Sequence, residues 1–245
     1  MSRTRNLSTG NIGEHFLHLA VPAGIGMLFT TLYNVVDVFF AGLIGTDAQA
    51  GLAISFQAFF ILITFGFGLS AAMTALVGNA IGAKDDSAAC QLAVRGLGFG
   101  VLISALLIIV AILVGPFLIK LVSTEGAYRD AGTRYFTVLL AAIPSFVMSF
   151  GINGLLQSQG DTVSMQRAQI GAFFANICLN PLLVFGLPGV WDGLGFDGIA
   201  VSTVISQTGV MIYVGRRLLK TELMAGWRPA DLLPRVITSR AIAGQ

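Results

Sequence analysis

Phe16–Ile44, FLHLAVPAGIGMLFTTLYNVVDVFFAGLI, is the stretch that decides the fold. At ~1.5 Å of rise per residue about 20 apolar residues cross the hydrocarbon of a bilayer, so this run is long enough to span. One acid, Asp37, interrupts it. An ionised carboxylate at that depth costs about 2.5–3.5 kcal/mol on insertion scales, so it needs a neighbouring helix, a water cavity, a proton or a cation. The remaining acids fall between apolar runs or at their ends, which leaves Asp37 as the acid without a loop to occupy.

The rest of the chain follows the same pattern. Of 245 residues, 55% are hydrophobic and 11% charged, far from the charged fraction of about 25% usual in a soluble domain. Mean hydropathy is +0.83. Charge-free windows run over residues 15–36, 48–83, 96–119, 135–160, 168–191 and 198–215. They predict an all-α membrane protein, a bundle of six transmembrane helices. Residues 1–14 read as a polar cytoplasmic lead, 15–219 as the transmembrane lobe, and 220–245 as a cytoplasmic interfacial tail or linker. Eleven Lys and Arg lie on the side of the termini, and only Lys120, Arg129 and Arg134 on the other, which predicts both termini in the cytoplasm. The formal net charge of +2 is spread over several loops, so a nucleic-acid partner is not expected. Cys90, read as lying in a cytoplasmic loop, and Cys178, within a span, are not expected to pair.

Polar residues inside the spans are the functional candidates. His15 and His18 read as interfacial, and Pro22 as a kink that frees the carbonyl of His18. The second span ends in Gly78-Asn-Ala-Ile-Gly82, a small-residue pattern that lets helices approach closely, and Gly96-Leu-Gly-Phe-Gly100 repeats it. In the fourth span, about 135–157, Ser145, Ser149, Asn153 and Gln157 make one stripe, which either lines an aqueous path or joins helix to helix. In the fifth, about 168–187, Asn176 and Asn180 share a face beside Pro181, a set of oxygen groups suited to Na⁺ or ordered water, or to an interhelical ladder. In the sixth, Thr203, Ser206 and Gln207 share a face. Counting rise per residue puts Asp37, Gln57, Asn180 and Thr203 about 8–10 Å below the same end of the bundle. That convergence predicts a proton or cation site.

Pro22, the run Tyr33-Asn-Val-Val-Asp37-Val-Phe-Phe-Ala-Gly42-Leu-Ile-Gly45, then Leu156-Gln-Ser-Gln-Gly160-Asp161-Thr162, Asn176-Ile-Cys-Leu-Asn180-Pro181-Leu-Leu-Val-Phe-Gly186 and Gly198-Ile-Ala-Val-Ser-Thr203 together resemble the multidrug and toxic compound extrusion (MATE) transporters. The resemblance implies one six-helix lobe of a twelve-helix bacterial inner-membrane antiporter that exports small cationic or amphipathic compounds against H⁺ or Na⁺. A second six-helix lobe is the implied partner. It also implies cation-site roles for Asp37, Asn176 and Thr203, to which Asn180 is added on its shared face; Tyr33, Gln57, Ser145, Ser149, Asn153 and Gln207 are candidate cavity-lining residues. Asn180 stands where many members have a second acid. No cofactor and no metal beyond Na⁺ is expected. Two other readings are a lipid-linked oligosaccharide flippase, which calls for deep basic residues that these spans lack, and a non-transporting truncated fragment. An enzyme is not expected: there is no HExxH, and no second buried acid accompanies Asp37.

Overall fold

A computed structural model describes residues 12–225, with side chains from Val21 onward apart from Pro22 and Ala23. The readings placed on residues 1–11, on the side chains of His15, His18 and Pro22, and on the tail 226–245 lie outside the described residues. The described chain is helical almost throughout. It consists of α1 (Ile12–Ile44), α2 (Thr46–Gly82), α3 (Asp86–Val122), α4 (Ala127–Leu139), α5 (Ile143–Ser158), α6 (Ser164–Phe185) and α7 (Asp197–Leu218). Among the described residues six stretches are long and apolar enough to span a membrane, the fourth being α4 and α5 together, Ala127–Ser158.

That fourth span is not one continuous α-helix. A 3-10 turn at Leu140–Ala142 separates its halves. The cause is Pro144 near the start of α5, which has no N–H to offer the carbonyl of Leu140. The span also begins well before Tyr135, because its first turns carry Arg129, Asp130 and Arg134. A charge-free window cuts off a helix end that extends past the hydrocarbon. The same effect moves the start of α3 back to Asp86, so that Cys90 lies on a helix rather than in a loop; it and Cys178 are both free thiols.

The α1–α2 connection is a single residue, Gly45, at φ +154°, a conformation that side-chain-bearing residues rarely adopt. The longer α6–α7 connection folds back on α6: Leu194 N–H donates to the Leu183 carbonyl at 2.7 Å and Gly195 N–H to that of Val184 at 3.0 Å. Its Gly193, at φ +74°, lies so close to this backbone that a Cβ would fall 2.5 Å from the Val184 carbonyl oxygen.

Packing runs as a series. α1 lies mainly against α6, α6 against α7, α7 against α5 and α4, and those against α2, which α3 backs. The close approaches sit at other glycines than the expected Gly78 and Gly82, which have no heavy atom nearer than 3.9 Å to an added Cβ. Instead a Cβ on Gly154 of α5 would lie 2.3 Å from the Ser70 carbonyl oxygen of α2. One on Gly51 of α2 would lie 2.9 Å from the Gly132 nitrogen of α4. At that second crossing the Ser55 hydroxyl donates to the Gly132 carbonyl at 2.7 Å, and this bond between helices needs the backbones close. The outer faces of α1 and α3 expose rows of large apolar side chains, including Phe39 and Leu43 on one and Leu106, Leu113 and Phe117 on the other. Such faces suit lipid.

Candidate functional site

Asp37 is 5% exposed and sits where α1, α6 and α7 meet. α1 crosses α6 closely, and the i,i+4 spacing of Asn176 and Asn180 turns both amides toward it. Asn176 Nδ2 and Asn180 Nδ2 each donate to Asp37 Oδ1 at 2.9 Å. Thr203 Oγ1 donates to Oδ2 at 3.3 Å. Asn180 Nδ2 also donates to Asn176 Oδ1 at 3.1 Å, so the amide ladder and the grip on Asp37 coexist. Ser202 accepts a longer bond from Asn176 at 3.4 Å. All three donors to the carboxylate are neutral, and among the described residues no Lys or Arg pairs with it.

Around this carboxylate lie oxygens with no hydrogen-bond partner. Asn180 Oδ1, the Tyr33 hydroxyl and Ser206 Oγ are buried and, among the described residues, have no partner in hydrogen-bonding geometry. Tyr33 faces Thr203, Ser206 and Asn176. Unpaired buried polar atoms are rare in folded proteins, and several together mark a place where a water, a proton or an ion completes the set. Tyr135 of α4 also faces Thr203 and lies within electrostatic reach of Asp37 and Tyr33. Sequence reasoning missed Tyr135, whose approach to Thr203 depends on which face of α4 turns to α7, and Ser202, next to Thr203.

The other candidates divide. Gln57 does not join the group: it is exposed on α2, between the outward-facing Phe56 and Phe60. Gln207 is buried on α7. The stripe on α5 serves both purposes open to it. Ser145 exchanges a 3.0 Å hydrogen bond with Thr208 of α7, whereas Asn153 and Gln157 line a groove of about 590 Å³ with Phe67, Ser70 and Thr74 of α2. Ser149, between them, is 2% exposed and its hydroxyl has no partner.

At the other end of α6 a second carboxylate is differently supplied. Asp161 Oδ1 accepts from the Ser164 backbone at 2.9 Å and from Val163 at 3.2 Å, and Oδ2 accepts from Ser164 Oγ at 2.6 Å. Arg217, from the end of α7, approaches Asp161 Oδ2 to 3.5 Å and donates to Ser164 Oγ at 3.1 Å. Partial burial pushes the Asp161 pKa up. The Ser164 and Val163 hydrogen bonds and the guanidinium outweigh that, and hold it below the ordinary carboxylate value.

The sequence profile of the family described as MatE matches residues 22–182. Among curated relatives, the probable multidrug resistance protein YoeA of Bacillus subtilis is 28% identical over 87% of this chain and 47% of its own length. The FAD transporter of Shewanella oneidensis is 26% identical over 90% of this chain and 50% of its own. The chain thus spans about half the length of the curated relatives it matches. A solved structure described as an outward-facing multidrug resistance MATE family transporter of the MOP superfamily superposes with a TM-score of 0.82 at 24% identity, over 95% of this chain and 51% of that one. Those six spans and that profile match lead to one assignment: the chain belongs to the MATE family of multi-pass membrane transporters.

Proposed function

We propose that this chain is the cation-coupling lobe of an antiporter, in which H⁺ or Na⁺ at Asp37 drives export of small cationic or amphipathic compounds. The observation that carries the reading is a buried carboxylate held only by neutral donors, with unpaired oxygens beside it. A structural hydrogen-bonding acid has no need of those oxygens, whereas a cation does. Asn176 and Asn180 suit either state: their NH₂ groups donate to the bare carboxylate, and a rotated amide offers oxygen to an ion. A bound proton or Na⁺ neutralises Asp37 and so favours one arrangement of α1 against α6 over another, which is the linkage an exchanger requires.

A second six-helix lobe completes the substrate cavity, so that the lobe by itself exports poorly. One relative is named for FAD, yet the buried polar side chains described here are Asp, Asn, Gln, Ser and Thr, without Lys or Arg. An interior without buried cations favours a cationic or neutral compound over an anionic one, and tells against a flippase of anionic lipid-linked sugars. The excess of Lys and Arg on one side of the bundle supports an orientation in a bacterial inner membrane with both ends of the lobe facing the cytoplasm.

The test is efflux in proteoliposomes holding the chain with the lobe that completes it. Asp37→Asn is expected to abolish efflux driven by either gradient, and wild-type coupled efflux in that variant would refute the reading. Orientation is tested by single cysteines at Asp47, Glu125 and Val190 in a background without Cys90 and Cys178. All three are expected to react with an impermeant reagent applied to intact cells, and protection at two of them would reverse the topology.

A further inference from the structure

A pocket of about 370 Å³ opens at the same end of the bundle as Asp37, lined by Ile44, Thr46, Asp47, Ala127, Arg134 and Phe196. At ~30 Å³ per water its volume corresponds to on the order of ten waters, enough for a hydrated monovalent ion. Its charges are Asp47, which is exposed, and Arg134, whose Nε lies 3.9 Å from Asp197 Oδ1. Asp197 offsets Arg134, and Asp47 leaves the mouth net acidic.

The pocket ends on Phe196, which is 6% exposed and stacks on Tyr135, ring centroids 5.1 Å apart and planes at 28°. Beneath the stack is the site itself, since Tyr135 faces Thr203. Along α7, Asp197 beside the pocket and Thr203 on the carboxylate are six residues apart, about 9 Å at the helical rise. One aromatic layer therefore stands between the pocket and the unpaired oxygens around Asp37.

We infer that this pocket is the vestibule through which the coupling cation enters, and that the Phe196–Tyr135 stack is the floor it passes to reach Asp37. The inference rests on the reading of Asp37 as the cation site and adds a route to it. Asp47 concentrates cations at the mouth, the stack separates the site from bulk solvent between visits, and the Tyr135 hydroxyl gives the ion a polar contact on the way to Thr203. A packed floor rather than an open shaft also keeps Asp37 from exchanging ions freely, and an exchanger without that restriction leaks.

The experiment measures how fast Asp37 is modified by the water-soluble cationic carbodiimide EDC with glycinamide, using the purified chain in nanodiscs and peptide mass spectrometry. Asp161, at the opposite end of the bundle, is the internal control for unfolding. Phe196→Ala is expected to speed modification of Asp37 by about ten-fold, because a stacked pair is lost, while Asp161 is unchanged. Ala127→Trp, which crowds the exposed mouth and leaves the stack intact, is expected to slow it several-fold. Unchanged Asp37 kinetics in Ala127→Trp would overturn the route, and so would a rise in Phe196→Ala matched by Asp161. The efflux result for Asp37→Asn stands apart: coupling lost there with no effect of Ala127→Trp refutes the vestibule alone, and coupling retained refutes the site.

Discussion

Two carboxylates of this bundle, Asp37 and Asp161, contact opposite ends of the same helix, and they are treated in opposite ways. Asp161 has a partner for each oxygen and a guanidinium at 3.5 Å, with 20% of its side chain still reaching water. Asp37 is more deeply buried, has no cationic partner among the described residues, and is surrounded by oxygens that have none either. If stability alone shaped the molecule, the deeper acid would be the better neutralised, since its cost uncompensated is higher. The reversal indicates that Asp161 fastens the end of α7 to the start of α6, whereas Asp37 is left one charge short, ready for an ion.

The largest expected effect follows from that asymmetry. Asp37→Asn is expected to eliminate ion-coupled efflux while the protein inserts and unfolds much as wild type does, because an amide is cheaper to bury than a charge. Asp161→Ala should do the reverse. Losing a carboxylate that caps Val163 and Ser164 and pairs with Arg217 is expected to cost about 1–2 kcal/mol, with coupling per folded molecule retained. Thermal unfolding and proteoliposome efflux on the two variants check both halves. A stable, inactive Asp161→Ala would collapse the distinction.

How far the sequence carried this reading differs between parts of the site. The six spans were legible from charge-free windows, and their ends were not, because Arg129, Arg134 and Arg95 ride on helices that outrun the hydrocarbon. Asp37, Asn176 and Asn180 were legible because two independent signals agree on them, burial of an acid and an i,i+4 amide pair. Gln57 shows the limit of counting depth. Rise per residue sets height and says nothing of direction around the helix axis, and at the right height Gln57 points away, between two exposed phenylalanines. Tyr135 was hidden for a related reason. Its position depends on which face of α4 turns to α7, a matter of packing at Gly51 and Gly132 that no local pattern reports.

A finer contrast lies within the Asp37 group itself. Asn180→Ala removes one of two 2.9 Å bonds to Oδ1 and an oxygen available to a cation, and leaves the charge. Cation affinity is expected to fall by about ten-fold, the loss of one hydrogen bond to a charged group, with coupling weakened rather than abolished. Equilibrium ²²Na⁺ binding, or the H⁺ dependence of efflux, measures it. An effect as large as that of Asp37→Asn would mean that the amide, and not the charge, defines the site.

The smallest expected effect is a pH dependence at the other carboxylate. Asp161 is held below the ordinary carboxylate value in the folded protein, so the folded state binds its proton more weakly than the unfolded chain does. Its contribution to stability is accordingly complete above the unfolded value of about 3.9, and is lost as pH falls through the lower folded value. The difference in unfolding temperature between wild type and Asp161→Ala should therefore be constant at neutral pH and shrink only on acidification into that range. Because the side chain is partly open to solvent, salt should reduce the Arg217 share of the difference and leave the backbone bonds from Val163 and Ser164. A difference that persists undiminished well below the unfolded value would assign the stabilisation to packing of the Asp161 side chain rather than to its charge. The contrast between a neutralised and an unneutralised acid would then rest on Asp37 alone.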